Sequence, residues 1–191
     1  MRKMGKNFEK EKDNQHLNVK KRIMFNKDED YYFITYNILI ILKVFGCKDA
    51  KSKWTDYTKL SYILPLVADS TLLDLFIRYS DNYRIPPKED LEILRETYFK
   101  SRLRLQLVSS ILFTLEANQL VSLVKNEKRH TIDIWINQEN IPETLLKSDL
   151  FEVEIKNINK LKTAINRLKS LSTKTLLERL YTNNGVRVWE A

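Results

Sequence analysis

Only three glycines occur in the 191 residues, at positions 5, 46 and 185. Phosphate-cradling loops need glycines in close succession, because backbone N–H groups must approach the phosphate with no Cβ in the way. The common nucleotide-binding loops are therefore excluded as a class. The same scarcity, with only four prolines, argues against a turn-rich β-sandwich, and abundant Leu, Ile and Lys favour helices. At 43% hydrophobic the chain can bury a core without cross-links. Cys47 is the single cysteine, so neither an internal disulfide nor a cysteine-based zinc site is expected.

Periodicity divides the chain into elements. Residues 1–29 carry nine Lys or Arg against five Asp or Glu and read as a mobile basic arm, with Phe8, Leu17, Val19, Ile23 and Phe25 as its docking points. A helix apolar nearly all round runs from about Asp30 to Phe45 and is closed by Gly46. Loop CKDAKSKWTD leads to YTKLSYILPLVAD, where Pro65 should bend or end the helix near Leu64. Thr71 and Asp74 have the spacing of a capping box for LLDLFIRY. DNYRIPP breaks the chain, and a long helical stretch follows, starting at Glu89 and Asp90 and ending at Asn118, with room for a kink or split near Thr97 to Ser101. Leu103, Leu107, Ile111 and Leu115, widened by Leu105, Val108 and Leu112, predict a core stripe.

The period then switches to two. In LVSLVKNEKRHTIDIWIN, Ile132, Ile134 and Ile136 alternate with Asp133, Trp135 and Asn137, and Val121 and Leu123 supply a partner strand. This predicts a β-hairpin with Lys125, Lys128, Arg129 and His130 at its tip. Trp135, opposite the isoleucine face, either packs or anchors a partner, and packing is the commoner case. A short helix over ETLLKSDL is expected after Pro142. Beyond it Phe151, Ile155, Ile158, Leu161, Ile165 and Leu168 form one narrow stripe that would dock on a partner or on the chain's own core. A last helix, TKTLLERLY, ends at Asn183-Asn184-Gly185, and VRVW would add a final short strand. The expected fold is mainly α with a small β-hairpin: arm 1–29, a winged-helix-like domain 30–137, and a C-terminal helical extension 138–191.

Catalytic signals are sparse. His16 and His130 are the only histidines, and neither is placed for a nucleophilic triad. Glu152 and Glu154, two apart, fall on different helix faces and do not converge. No catalytic residue, cofactor site or metal site is assigned, and a non-catalytic role is expected. Formal charge is +8, which favours an anionic partner, although an AT-rich genome would enrich lysine equally. The candidate nucleic-acid contacts are Lys100, Arg102 and Arg104 on the long helix and Lys125, Lys128 and Arg129 on the hairpin. A helix followed at once by a basic hairpin is the layout of a winged helix, whose helix enters a major groove while the wing meets phosphates. The bland alternative is a solvated charged surface. The start of the chain lacks the apolar segment of a signal peptide, and Tyr31–Phe45, broken by Thr35, Asn37 and Lys43, is shorter than the roughly 20 residues needed to cross a bilayer. A soluble cytoplasmic protein without a membrane partner is expected.

DYTKLSYILPLVADSTLLDLFIRYSDNYRIPP, with the helix and hairpin downstream, resembles the small middle component of three-component ABC/SMC-type antiphage systems, the LmuC-like subunits of Lamassu. The resemblance spans about residues 30 to 137 and rests on apolar patterns. It implies an adaptor joining an SMC-like ATPase to an effector, often a nuclease, with double-stranded DNA as a further partner. The other reading is a free-standing winged-helix DNA-binding protein or transcription regulator.

Overall fold

The computed structural model describes residues 30–80, 86–142 and 149–189. The basic arm with its docking points, most of DNYRIPP, and residues 143–148 of the helix expected over ETLLKSDL lie outside them.

Helix α1, Tyr31–Val44, begins where Asp30 Oδ1 accepts the Phe33 N–H at 3.0 Å. It ends at Gly46, whose φ of +66° lets Cys47 N–H return to Leu42 O at 2.9 Å. Both ends match the sequence reading. Helix α2, Lys59–Ala68, corrects it, because Pro65 lies inside the helix. Residues Lys59 to Val67 are all buried, and packing on every side outweighs one missing backbone bond. The Pro65 carbonyl still accepts Asp69 N–H at 3.0 Å.

The axis then turns by 113° into α3, Ser70–Ser80. Asp69 Oδ1 caps it, accepting Thr71 N–H at 2.8 Å and Leu72 N–H at 3.3 Å. The cap is thus Asp69 and not the expected Thr71–Asp74 pair.

The long helical stretch splits into α4, Lys88–Leu103, and α5, Leu105–Ala117, at Arg104, beyond the expected Thr97–Ser101 window. Leu103 stands 82% exposed while Arg104 is buried at 6%. The expected stripe beginning at Leu103 is corrected accordingly. A repeat of four drifts by about 40° per step on a helix of 3.6 residues per turn, so Leu103 has rotated far from Leu115. The buried line runs instead through Leu94, Tyr98, Ser101, Arg104, Val108, Ile111 and Leu115.

Strands β1, Val121–Asn126, and β2, Thr131–Ile136, pair antiparallel with Val121 opposite Ile136 and Asn126 opposite Thr131. Residues 127–130 turn the chain, with His130 at φ +52°. The loop between α1 and α2 lies along the free edge of β2. Cys47 O accepts Ile136 N–H at 2.9 Å, Trp54 and Ile134 exchange bonds of 2.8 and 2.9 Å, and Tyr57 N–H reaches Ile132 O at 2.9 Å. Trp135 is half-buried against the core.

Helix α6, Glu152–Ala164, stops short of the helix expected to run on through Leu171. Ile165 is extended, Arg167 takes φ +57°, and Leu168–Ser170 form a 3-10 turn before α7, Thr173–Leu180, capped by Ser172. Nevertheless Ile158, Leu161, Ile165 and Leu168 are all buried. Asn157 locks α6 to the α2–α3 elbow: its Nδ2 donates to Val67 O at 2.9 Å and its Oδ1 accepts from Ser70 Oγ at 3.2 Å. Helix α2 packs against α1, α3, α4, α5 and α6. One continuous core therefore includes Ile63, Ile111 and Ile134 together with Leu161 and Leu176, crossing the boundary expected at 137/138. Residues 186–189, expected as a final strand, form none.

Leu161→Ala, at a fully buried site, is expected to cost about 2–5 kcal/mol, and Asp69→Ala, by removing a cap, about 1 kcal/mol. Leu103→Ala should stay within about 0.5 kcal/mol of the parent. Urea titrations followed by circular dichroism rank the three, and a Leu103 cost comparable to that of Leu161 would contradict the exposure of Leu103.

Candidate functional site

The basic residues singled out by sequence differ in exposure and in partners. Lys100 is exposed and pairs with Glu96 at 3.0 Å. Arg102 donates to Tyr98 Oη at 3.4 Å and Trp189 O at 3.2 Å, so its guanidinium fastens the tail. Arg104 is buried, which corrects the expectation that it contacts nucleic acid. On the hairpin, Lys125 pairs with Glu127 at 3.0 Å, while Lys128 and Arg129 are exposed. Helix α5, which precedes the hairpin, exposes Gln106, Ser110, Phe113, Thr114 and Ala117 and contains no Lys, Arg or His.

The stripe offered as a partner interface faces inward. Ile158, Leu161, Ile165 and Leu168 belong to the chain's own core, and Phe151 and Ile155 pack half-buried against it. The choice left open by the sequence, partner or own core, goes to the core for these side chains.

The most unusual polar arrangement is one that sequence reasoning did not single out. Lys59, at the start of α2, is 0% exposed. Its Nζ donates to Leu171 O at 2.7 Å, Leu168 O at 3.0 Å, Lys169 O at 3.0 Å and Thr55 Oγ1 at 3.2 Å. It also lies 4.9 Å from the ring centre of buried Trp54, in cation–π contact. The carbonyls are those at the close of the 168–170 turn, where backbone acceptors lack helical partners. Burial pushes the Lys59 ammonium down to about 7, against the pull of Asp56 and Asp133, which favour its charged form.

Two carboxylates complete the cluster. Asp56, at φ +58°, accepts Thr58 N–H at 3.1 Å and Thr58 Oγ1 at 2.6 Å on Oδ1, and Thr173 Oγ1 on Oδ2. Asp133 is fully buried on β2 and accepts Lys53 Nζ at 2.8 Å, Asn126 Nδ2 at 3.0 Å and Asp56 N–H at 3.1 Å. Burial raises the Asp133 carboxyl, but bonds from Lys53, Asn126 and the Asp56 N–H outweigh it and hold the group below the usual carboxylate range. These bonds join α2, the hairpin, the 53–58 loop and the start of α7. With its donors directed at internal acceptors and no exposure, Lys59 acts as a clamp on the fold. Among the described residues no group of three or more His, Cys, Asp or Glu is placed to hold a metal ion, and no single helix is long and apolar enough to cross a membrane.

A second cluster lies at the surface. Tyr98 Oη donates to Trp189 O at 3.1 Å and accepts Trp189 N–H at 3.0 Å, which binds the tail to α4. The Trp189 ring packs on Phe99 with centres 5.2 Å apart. Phe99 is 46%, Trp189 47% and Leu103 82% exposed. Comparison with models of known protein families, with curated proteins and with solved structures finds no match for this chain.

Lys59 ordinarily titrates at 10.5 and is pushed to about 7, so between these values the unfolded chain holds the extra proton and stability rises with pH. Cys47, pushed by burial from 9.0 to about 11, takes stability away above about pH 9, because the unfolded thiol ionises first. Tyr62 and Tyr181, both raised from 10.0 by burial, do the same above pH 10. Urea midpoints should climb from pH 7 to 9, level off, then fall. Lys59→Met should abolish the climb; a midpoint that rises unchanged in that variant would assign the effect elsewhere.

Proposed function

We propose that this chain is a cytoplasmic, non-catalytic adaptor that couples an SMC-like ATPase to an effector nuclease in an antiphage defence assembly. The observation that carries this reading is the apolar surface formed by Phe99, Leu103 and Trp189. Single exposed leucines are ordinary. Here Phe99 and Leu103 stand one turn apart on the outer side of α4, and the tail adds an indole beside them. Two aromatic rings and a leucine gathered at one spot have the composition of an interface anchor. Around them Arg95 pairs with Glu92 and Lys100 with Glu96, each at 3.0 Å, which gives a polar rim. Bonds from Tyr98 and Arg102 hold Trp189 in position, so little ordering would remain to be done on docking.

The resemblance to LmuC-like middle components supplies the kind of partner. A free-standing winged-helix reader is less well supported, because α5, the helix that would enter the groove, offers no cation to phosphates or guanine edges.

Co-expression with an SMC-like ATPase encoded beside this chain should yield one co-eluting complex. The double exchange Phe99→Ser with Leu103→Glu should weaken that complex about 30-fold or more, as removal of an anchor worth ~2 kcal/mol does, with an unchanged melting curve for the chain alone. Separate elution of the unmodified chain and the ATPase at every salt concentration would remove the adaptor reading.

A further inference from the structure

A surface that sequence inspection did not assemble gathers lysines from distant parts of the chain. The 48–53 excursion leaves the β2 edge after Cys47 and rejoins it at Trp54, carrying Lys48, Lys51 and Lys53. Lys162, on the last turn of α6, lies at its base: Nζ is 3.3 Å from Val44 O and 5.8 Å from the Phe45 ring centre. Lys169 reaches across from the 168–170 turn, with Nζ 3.5 Å from Ser52 O. Arg167, two residues before it, is exposed. Against these six cations stand Asp49 and Asp133. Asp133 is buried beneath Lys53. Asp49 turns its carboxylate onto the Lys51 and Ser52 N–H groups, both at 2.8 Å, and those bonds hold its carboxyl below the usual range. Asp49 thus stays an exposed anion, one charge set against the cations around it.

The excursion is fixed in shape. Ser52 Oγ accepts Lys48 N–H at 3.0 Å and Asp49 N–H at 3.2 Å, and Thr55 N–H bonds Lys169 O at 2.9 Å. Lysines on a rigid frame can meet a regular array of phosphates at low ordering cost. The large apolar side chains exposed among the described residues, such as Tyr32, Tyr36, Phe113 and Val124, lie on other segments. A membrane-binding face would present such groups for insertion. A single-strand binder would present aromatic rings for bases to stack on. A face of ammonium groups without either fits the backbone of a duplex, contacted without regard to sequence.

We propose that Lys48, Lys51, Lys53, Lys162, Arg167 and Lys169 form a phosphate-contacting face for double-stranded nucleic acid. This face shares no residue with the hairpin tip or with the apolar patch on α4. The proposal goes beyond the adaptor reading and concerns the chain by itself, so its test needs no partner protein.

The full chain is titrated into a fluorescein-labelled duplex of random sequence at several salt concentrations, with anisotropy as the readout. Replacing exposed Lys48, Lys51 and Lys162 by Gln should reduce the slope of log K against log salt by about 0.9 for each phosphate no longer neutralised, roughly 2.7 in all. Each single exchange should remove about one third of that change, which keeps the test decisive if the triple variant folds poorly. The matching tip variant, Lys125→Gln with Lys128→Gln and Arg129→Gln, should leave the slope nearly unaltered. The assignment is overturned by a slope that responds only to the tip variant, by absence of duplex binding at low salt, or by binding confined to anionic lipid vesicles or poly-glutamate.

Discussion

The ammonium of Lys59 holds together parts of the chain that no periodic pattern would join. It sits at the head of α2, the helix on which α1, α3, α4, α5 and α6 pack, and grips carbonyls more than a hundred residues away in sequence. Desolvating an ammonium is costly unless its protons find acceptors. Here three carbonyls, a hydroxyl and an indole face meet part of that need, and the remainder shows in a titration pushed down to about 7. The consequence is geometric. The 168–171 segment has one position relative to α2, and with it α7 and the path of the tail toward α4 are fixed. The tail can therefore deliver Trp189 to Tyr98 and Phe99.

The break at Arg104 has the second largest influence on the surface. An unbroken helix from Lys88 to Ala117 would still have carried the buried line through Ser101 and Arg104, since those positions follow the 3.6-residue period. Leu103 stands in solvent one turn from Phe99 on α4 itself, just before the break. Buried guanidinium and exposed leucine are adjacent in sequence, an inversion of their ordinary preferences. Such inversions mark places where folding preference yields to something else.

Elements with a strong local signature were legible in the sequence. The Asp30 and Gly46 ends of α1, the Asn118 end of α5 and the presence of the isoleucine strand follow from capping chemistry and alternation, which act within a few residues. The misreadings share a different cause. Pro65 was expected to bend or end α2 near Leu64, but the helix buried on all sides runs on past it to Ala68. Asp133, at an alternate strand position that would ordinarily face water, is covered by the 53–58 loop, and Lys53 and Asn126 compensate its charge. Lys59 carried no signal, because a lysine at the start of an apolar helix reads as solvated when the carbonyls that receive it lie at 168–171. The stripe on α6 was legible as apolar, whereas its destination was not, since a seam for a partner and a seam for one's own core have the same spacing.

The hairpin shows how these levels combine. Its isoleucine face makes it a wall of the core, and Asp133 ties its other face to the 53–58 loop. That tie also sets the position of Lys53, and the bond between Thr55 N–H and Lys169 O sets that of Lys169. The polar network that satisfies a buried carboxylate and a buried ammonium thus fixes the frame from which exposed lysines project. Lysine side chains are long and lose entropy on ordering, so a face built from them gains most when the backbone beneath does not move. The hairpin tip lacks that support: residues 127–130 project beyond the paired strands, and Lys125 is engaged with Glu127. Charge alone favoured the tip as the place where this protein meets an anion. Rigidity and the excess of cations over carboxylates favour the base of the β2 edge instead.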